Sequence, residues 1–152
     1  MSCQSACLAS LKLISIITCM DTPTSVTWRV REPLSDPELQ ELFSAVYNHP
    51  NTVPFHTILD HCLTWISARQ GSRLVGFANV IWDGLHHALV VDRAARDDPS
   101  GALHSELLVK VVDVVRKDYP TVSKVHVECN EGEIPLLEPL GFQRRLGGRI
   151  LS

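Results

Sequence analysis

Runs of apolar residues bounded by Gly, Pro and Asp predict five strands in this chain. They cover residues 26–31, 65–69, 73–82, 87–95 and 124–129. In the first run, alternation puts Val26, Trp28 and Val30 on one face. In the third run, residues 74–82 are apolar on both faces apart from Asn79, which is typical of a strand covered on both sides. A last strand or hairpin is predicted over 142–151, around two adjacent glycines.

Helical spacing of apolar residues predicts four helices between these strands. The first begins at Ser35, where the sequence S-D-P-E forms a capping box. Its expected buried face consists of Leu39, Leu42, Phe43, Val46 and Tyr47. The other three cover residues 55–63, 101–117 and 133–140. The helix at 101–117 is expected to be heavily buried, since only Glu106, Lys110, Asp113 and Lys117 form a polar outer stripe.

This order of elements indicates a mixed α/β domain built around one sheet, and the length of 152 residues suits a single domain. We expect residues 26–152 to form that domain. Residues 1–25 are interpreted as a disordered leader, with a weak signal or organelle-targeting sequence as the alternative. The apolar part of this leader is too short and too interrupted to span a membrane, so no membrane partner is predicted.

Charge and cysteine usage narrow the class of protein further. The net charge of −3 and the pI of about 6.1 argue against a nucleic-acid partner, which would require a basic surface. The five cysteines contain no C-x-x-C pair, and their odd number does not suit a disulfide framework. A reducing compartment is therefore expected, which favours the cytoplasm. Cys62 and Cys129 lie in apolar runs and are expected to be buried.

Metal-dependent and serine-hydrolase chemistry find no support in the sequence. His86 and His87 are neighbours in an extended segment, so their side chains point to opposite faces and cannot hold one ion together. The chain has no H-E-x-x-H motif and no paired cysteines for zinc. It also lacks a G-x-S-x-G motif. No metal cofactor is predicted.

Three stretches point to a known family: L-V-G-F-A-N-V-I-W-D-G at 74–84, the strand–loop–helix at 87–108, and P-L-L-E-P-L-G-F at 135–142. Together with the order of elements, they resemble the GNAT superfamily of acyl-CoA-dependent N-acyltransferases. The resemblance covers residues 26–152. It implies an α/β (α+β) fold with a mixed, mainly antiparallel central sheet flanked by helices on both faces.

The resemblance also implies an activity and a cofactor site. The expected reaction transfers an acetyl group from acetyl-CoA, as co-substrate, to the amine of an unidentified small molecule or peptide. The pantetheine arm would pair with the backbone of Ala94 and Ala95. The pyrophosphate would lie against the loop that opens the long helix, formed by Ser100, Gly101, Ala102, Leu103 and His104. Pairing of the last strand with that of a second copy, which would form a homodimer, is left as an open alternative.

The sequence departs from the family pattern in the loop that opens the long helix. Gly101 is its only glycine, and Pro99 supplies no N–H group. Asp97 and Asp98 add negative charge where a pyrophosphate would lie, which is unfavourable. A catalytically degenerate protein with this fold, acting as a binding or interaction module, is therefore the alternative function.

Two carboxylates are the candidate general bases for the amine. Asp92 lies near the expected strand splay, and Glu128 lies on the strand after the long helix. The family's proton-donating tyrosine corresponds to Leu137, which has no transferable proton. Neither Tyr47 nor Tyr119 matches that position, so the resemblance leaves the proton donor for the leaving thiolate unassigned.

Overall fold

The computed structural model describes residues 25–145. Almost all of the predicted leader and most of the predicted last strand lie outside the described residues. The five strands form one sheet in the order β1-β2-β3-β4-β5. They are β1 (Val26–Val30), β2 (Thr64–Gln70), β3 (Arg73–Trp82), β4 (His87–Ala95) and β5 (Lys124–Val127). The first three pairings are antiparallel and the fourth is parallel, which confirms the predicted mixed, mainly antiparallel sheet.

Four helices accompany the sheet: α1 (Asp36–Tyr47), α2 (Phe55–Leu59), α3 (Ala102–Asp118) and α4 (Ile134–Leu137). Short 3₁₀ turns flank α4 on both sides. The capping box of α1 is present: the Ser35 hydroxyl accepts from the Glu38 N–H, and the Glu38 carboxylate accepts from the Ser35 N–H. Helix α2 ends four residues before its predicted end, because the Leu63 N–H already donates to the Val80 carbonyl of β3.

Two apolar clusters lie on opposite faces of the sheet. On one face, α3 packs its buried residues against β2, β3 and β4. These are Leu107, Leu108, Val111, Val112 and Val115. On the other face, α1 and α2 pack against Trp65, Leu74, Phe77 and Ala94. The expectation of a third strand covered on both faces is confirmed, and the helices lie as the α/β order predicted.

Gly76 sets how closely α3 approaches the sheet. A Cβ atom at this position would lie 3.0 Å from Leu107 Cδ1 and 3.1 Å from Ala68 Cβ, closer than normal packing allows. The missing side chain therefore lets Leu107 lie directly on the backbone of β3.

Two residues that the sequence predicted as buried lie at the surface. Tyr47 is 60% exposed because its polar hydroxyl reaches the backbone of β4 while its ring stacks only on Phe43. Cys129 is exposed because β5 ends at Val127. Cys62 is buried as predicted.

The start of the predicted last strand also differs from expectation. Residues 142–145 follow the positive-φ Gly141 but do not lie in a strand. The remainder of the predicted last strand, 146–151, lies outside the described residues. No helix within residues 25–145 is long and apolar enough to cross a membrane.

Replacing Leu108 tests the placement of α3. Leu108 is fully buried between α3 and the sheet, so Leu108→Ala is expected to lower the free energy of unfolding by about 2–5 kcal/mol. Leu136→Ala, at an exposed leucine of α4, is the matched control and is expected to cost less than about 0.5 kcal/mol. Denaturant titration of both variants gives the comparison, and equal losses would contradict the assigned packing.

Candidate functional site

A β-bulge separates the two halves of β4. Ala78 pairs with Arg93 and Val80 pairs with Val90, so two residues of β4 lie opposite the single residue Asn79. The parallel pairing of β4 with β5 ends at the same level, with Val90. Within residues 25–145, β4 therefore continues beyond the bulge to Ala95 with an open edge on the side of β5.

The backbone groups at this open edge follow from the hydrogen bonds to β3. The Arg96 N–H donates to the Val75 carbonyl at 2.9 Å. Because alternate residues of a strand direct their N–H and C=O groups to opposite sides, Ala94 faces β3, opposite Phe77. Arg93 and Ala95 direct theirs to the open edge. Of the two alanines predicted to hold a pantetheine arm, only Ala95 has this orientation.

Asn79 links the bulge to the carboxylate of Asp92. Its Oδ1 accepts from the Asp92 N–H at 2.8 Å, and its Nδ2 donates to Asp92 Oδ2 at 3.1 Å. The same Nδ2 lies 3.4 Å from Cys62 Sγ. This amide is fully buried, so its hydrogen bonds orient the Asp92 carboxylate from inside the sheet. In the sequence, Asn79 stands out as the one polar residue of an apolar stretch, but the pattern does not predict its contact with Asp92.

Tyr47 is a site residue that the sequence did not reveal. Its hydroxyl donates to the Arg93 carbonyl at 2.7 Å, at the open edge of β4. Burial of the hydroxyl against the strand raises the pKa of Tyr47 above its ordinary 10.0. The positive Arg93 lowers this pKa in part, and the negative Asp92 and Glu133 raise it again. The hydroxyl therefore stays protonated at neutral pH beside two carboxylates.

The side chain of Arg93 spans the gap between β4 and the segment that follows β5. Its Nη1 lies 2.9 Å from Glu133 Oε1, and its Nη2 donates to the Glu128 carbonyl at 2.6 Å. His104 Nε2 lies 2.7 Å from the same Glu133 oxygen and 3.0 Å from Arg93 Nη1. One ring nitrogen cannot donate to the carboxylate and accept from the guanidinium at once, so its proton decides which bond forms.

Glu133 is the acceptor at the centre of this cluster. Burial raises the pKa of its carboxyl, but the hydrogen bond from the Asn130 N–H and the charge of Arg93 more than offset that effect. The pKa of Glu133 consequently lies below its ordinary 4.5.

The two predicted general bases occupy different surroundings. Asp92 is half-buried on β4 and is held by Asn79. Glu128 lies one residue beyond the end of β5 and is exposed, and its backbone carbonyl rather than its carboxylate contacts Arg93. The geometry favours Asp92 as the carboxylate that can act at the open edge.

The N-terminus of α3 is capped by Asp98. Asp98 Oδ1 accepts from the Leu103 N–H at 3.1 Å, and Oδ2 accepts from the His104 N–H at 2.8 Å. The Ala102 N–H lies 3.4 Å from Ser100 Oγ. The Ser105 N–H donates to the carbonyl of Gly101, the residue that precedes α3 in the left-handed conformation. Of the N–H groups predicted to surround a pyrophosphate, those of Gly101, Ala102, Leu103 and His104 thus have acceptors within the chain.

Arg96 anchors the beginning of the loop that precedes α3. Its guanidinium forms a two-pronged ion pair with Glu41 of α1 and is almost completely buried. Its Nε has no hydrogen-bond partner in the part of the chain that the structure describes. The next residue, Asp97, adopts a left-handed backbone conformation and pairs with Arg73 at 3.1 Å.

The histidines do not form a metal site within residues 25–145, where no group of three or more His, Cys, Asp or Glu side chains is placed to hold an ion. His86 and His87 diverge as expected. His86 Nδ1 faces the Thr121 carbonyl, whereas the ring of His87 stacks on His126.

Comparison with known proteins supports the fold. No family model and no curated protein matches the sequence. Among solved structures, a GNAT-family acetyltransferase from Streptococcus pneumoniae is similar with a TM-score of 0.67 at 18% identity, covering 84% of this chain and 98% of that one. A Trypanosoma brucei acetyltransferase gives a TM-score of 0.67 at 20% identity, covering 84% and 99%. The ribosomal-protein-alanine N-acetyltransferase of Brucella melitensis gives 0.62 at 17%, with the same coverage. The chain has the fold of the GNAT acetyltransferases, as the resemblance implied.

The depressed pKa of Glu133 gives a pH-dependent prediction. Glu133→Gln is expected to lower the free energy of unfolding by about 1–2 kcal/mol at pH 7, because the charge that binds Arg93 is lost. A carboxyl with a lowered pKa in the folded state stabilises above its unfolded pKa, and that contribution is lost as the pH falls through the folded value. Urea titrations of both proteins, at pH 7 and at a pH below the folded pKa (itself under 4.5), should therefore show a smaller difference at the lower pH.

Glu138→Gln, at an exposed glutamate of the same segment, is the control and should change stability by less than about 0.5 kcal/mol. A Glu133→Gln difference that is the same at both pH values would exclude an ionic role for Glu133.

Proposed function

We propose that this protein is an N-acetyltransferase that moves an acetyl group from the thioester of acetyl-CoA to an amine of a small molecule or peptide. The observation that carries the proposal is the open edge of β4, where the Asp92 carboxylate and the Tyr47 hydroxyl flank the unpaired half of the strand. A carboxylate and a protonated hydroxyl at one edge are the two groups that amine acylation requires.

The open edge suits the arm of an acyl thioester. Pantetheine contains amide groups, and an extended amide-containing chain can add to a free strand edge as a further strand would. Arg93 and Ala95 direct their N–H and C=O groups to this edge, and Tyr47 already occupies the Arg93 carbonyl. These contacts support binding of the arm at Ala95, with the acyl end near Tyr47.

Asp92 and Tyr47 have complementary parts in the reaction. The amine nitrogen forms a bond to the acyl carbon as the carbon–sulfur bond breaks, so one proton must leave nitrogen and one must reach sulfur. Asp92, oriented by Asn79, takes the amine proton directly or through water. Tyr47 turns its hydroxyl proton from the Arg93 carbonyl to the leaving sulfur and donates it, and the proton on Asp92 returns to Tyr47 through solvent.

The nucleotide end of acetyl-CoA fits this chain less well than its arm does. A diphosphate would normally use the N–H groups at a helix N-terminus. In α3, the N–H groups of Leu103 and His104 are bound by Asp98. The predicted set Ser100, Gly101, Ala102, Leu103 and His104 can therefore hold a diphosphate only after Asp98 moves away.

The capping of α3 by Asp98 favours a second candidate function, because the N–H groups that would bind the donor are already hydrogen-bonded. A protein that retains this fold without holding the donor would act as a binding or interaction module. Its edge strands and the charged cluster around Arg93 would then serve contacts with a partner instead of catalysis. Donor binding distinguishes the two candidates. For either, the free cysteines and the net charge support a cytoplasmic protein without a nucleic-acid partner.

Removal of the two proposed proton-transfer groups tests the enzyme. Release of free thiol from acetyl-CoA is measured with spermidine, a lysine-containing peptide and an aminoglycoside as amine probes. Asp92→Asn is expected to lower kcat by about 10²–10⁴-fold, and Tyr47→Phe by about 10–100-fold with a smaller change in KM. In the wild type, kcat should fall at alkaline pH as Tyr47 loses its proton. This fall should be absent in Tyr47→Phe.

Tyr119→Phe is the matched control, because the Tyr119 hydroxyl bonds the Leu63 carbonyl away from the open edge. It should retain the wild-type kcat. Wild-type turnover in both Asp92→Asn and Tyr47→Phe would refute the proposed mechanism. Absence of donor binding by calorimetry, together with no turnover on any probe, would support the binding module instead.

A further inference from the structure

We infer that Asp98 determines donor selectivity: it occupies the N-terminus of α3 with its own carboxylate, so that a short acyl-pantetheine thioester serves as well as acyl-CoA. This inference rests on the proposed acyl transfer and defines its donor class. It concerns the diphosphate alone, since the arm of the donor binds elsewhere, at the edge of β4.

The carboxylate of Asp98 takes the place that an anion would occupy. Each of its two oxygens accepts from a different N–H group of the first turn, at 3.1 Å from Leu103 and 2.8 Å from His104. These N–H groups carry the positive end of the helix dipole. An external diphosphate must replace both hydrogen bonds and also overcome repulsion by the displaced carboxylate.

The loop holds Asp98 in this position from both sides. Upstream, Arg96 is anchored to Glu41, and Asp97 is paired with Arg73. Downstream, the Gly101 N–H donates to the Asp98 carbonyl, which closes the loop on itself. Because the competing carboxylate is part of the chain, its local concentration is high and does not depend on the protein concentration.

The nearby cations offer a diphosphate little compensation. Arg73, Arg93 and Arg96 each pair with a carboxylate of this chain already. Charge-assisted contacts to these side chains would exist only after an internal ion pair is broken. The acyl group and the pantetheine arm are therefore the parts of the donor that this site recognises.

Calorimetric titration of S-acetylpantetheine and acetyl-CoA tests the inference. The wild type is expected to bind both thioesters with dissociation constants within about threefold of each other. Asp98→Ala frees the two N–H groups and should tighten acetyl-CoA binding at least about tenfold while leaving acetylpantetheine unchanged. Asp113→Ala is the matched control, because it removes an exposed negative charge of the same helix without exposing the helix N-terminus or releasing Arg73, and should change both constants by less than about threefold.

Asp98→Asn provides a second variant if Asp98→Ala fails to fold, since asparagine keeps one acceptor oxygen and removes the charge. It should shift selectivity toward acetyl-CoA in the same direction by a smaller factor. Wild-type binding of acetyl-CoA more than about tenfold tighter than acetylpantetheine would overturn the inference and leave the proposed function standing. Unchanged acetyl-CoA affinity in the Asp98 variants would also overturn it. Binding of neither thioester by the wild type would overturn both.

Discussion

The paired hydrogen bonds between Asn79 and Asp92 are the contact on which the rest of the site depends. They join β3 to β4 at the bulge, where the regular ladder between the strands is interrupted. The bulge marks the level at which β4 and β5 separate, so it defines where the open edge begins. The same amide orients the Asp92 carboxylate. One buried side chain thus couples the shape of the sheet to the direction of its candidate base.

The charges around the site are satisfied within the chain rather than held ready for a ligand. Arg93, His104 and Glu133 form one cluster across the strand gap, and Asp98 neutralises the first turn of α3. Such internal pairing favours a folded state that does not require a bound donor.

The sequence predicted the sheet, the main helices and the α3 core because periodic burial leaves a local pattern. It predicted the site only in part. Tyr47 follows the same apolar stripe as Phe43, and only the position of β4 shows that its hydroxyl leaves the core. The negative charge of Asp98 was visible, but its capping contacts depend on how the loop folds back. Asn79 and Arg93 acquire their roles from partners 13 and 40 residues away.

The close approach at Gly76 fixes the distance between α3 and the sheet. Leu107 lies where a side chain at position 76 would stand, so any larger residue there would push α3 away from β3. Leu107 belongs to the second turn of α3, so the capped N-terminus of the helix would shift together with it. The absence of one side chain on β3 therefore contributes to where the N-terminus of α3 lies relative to the sheet.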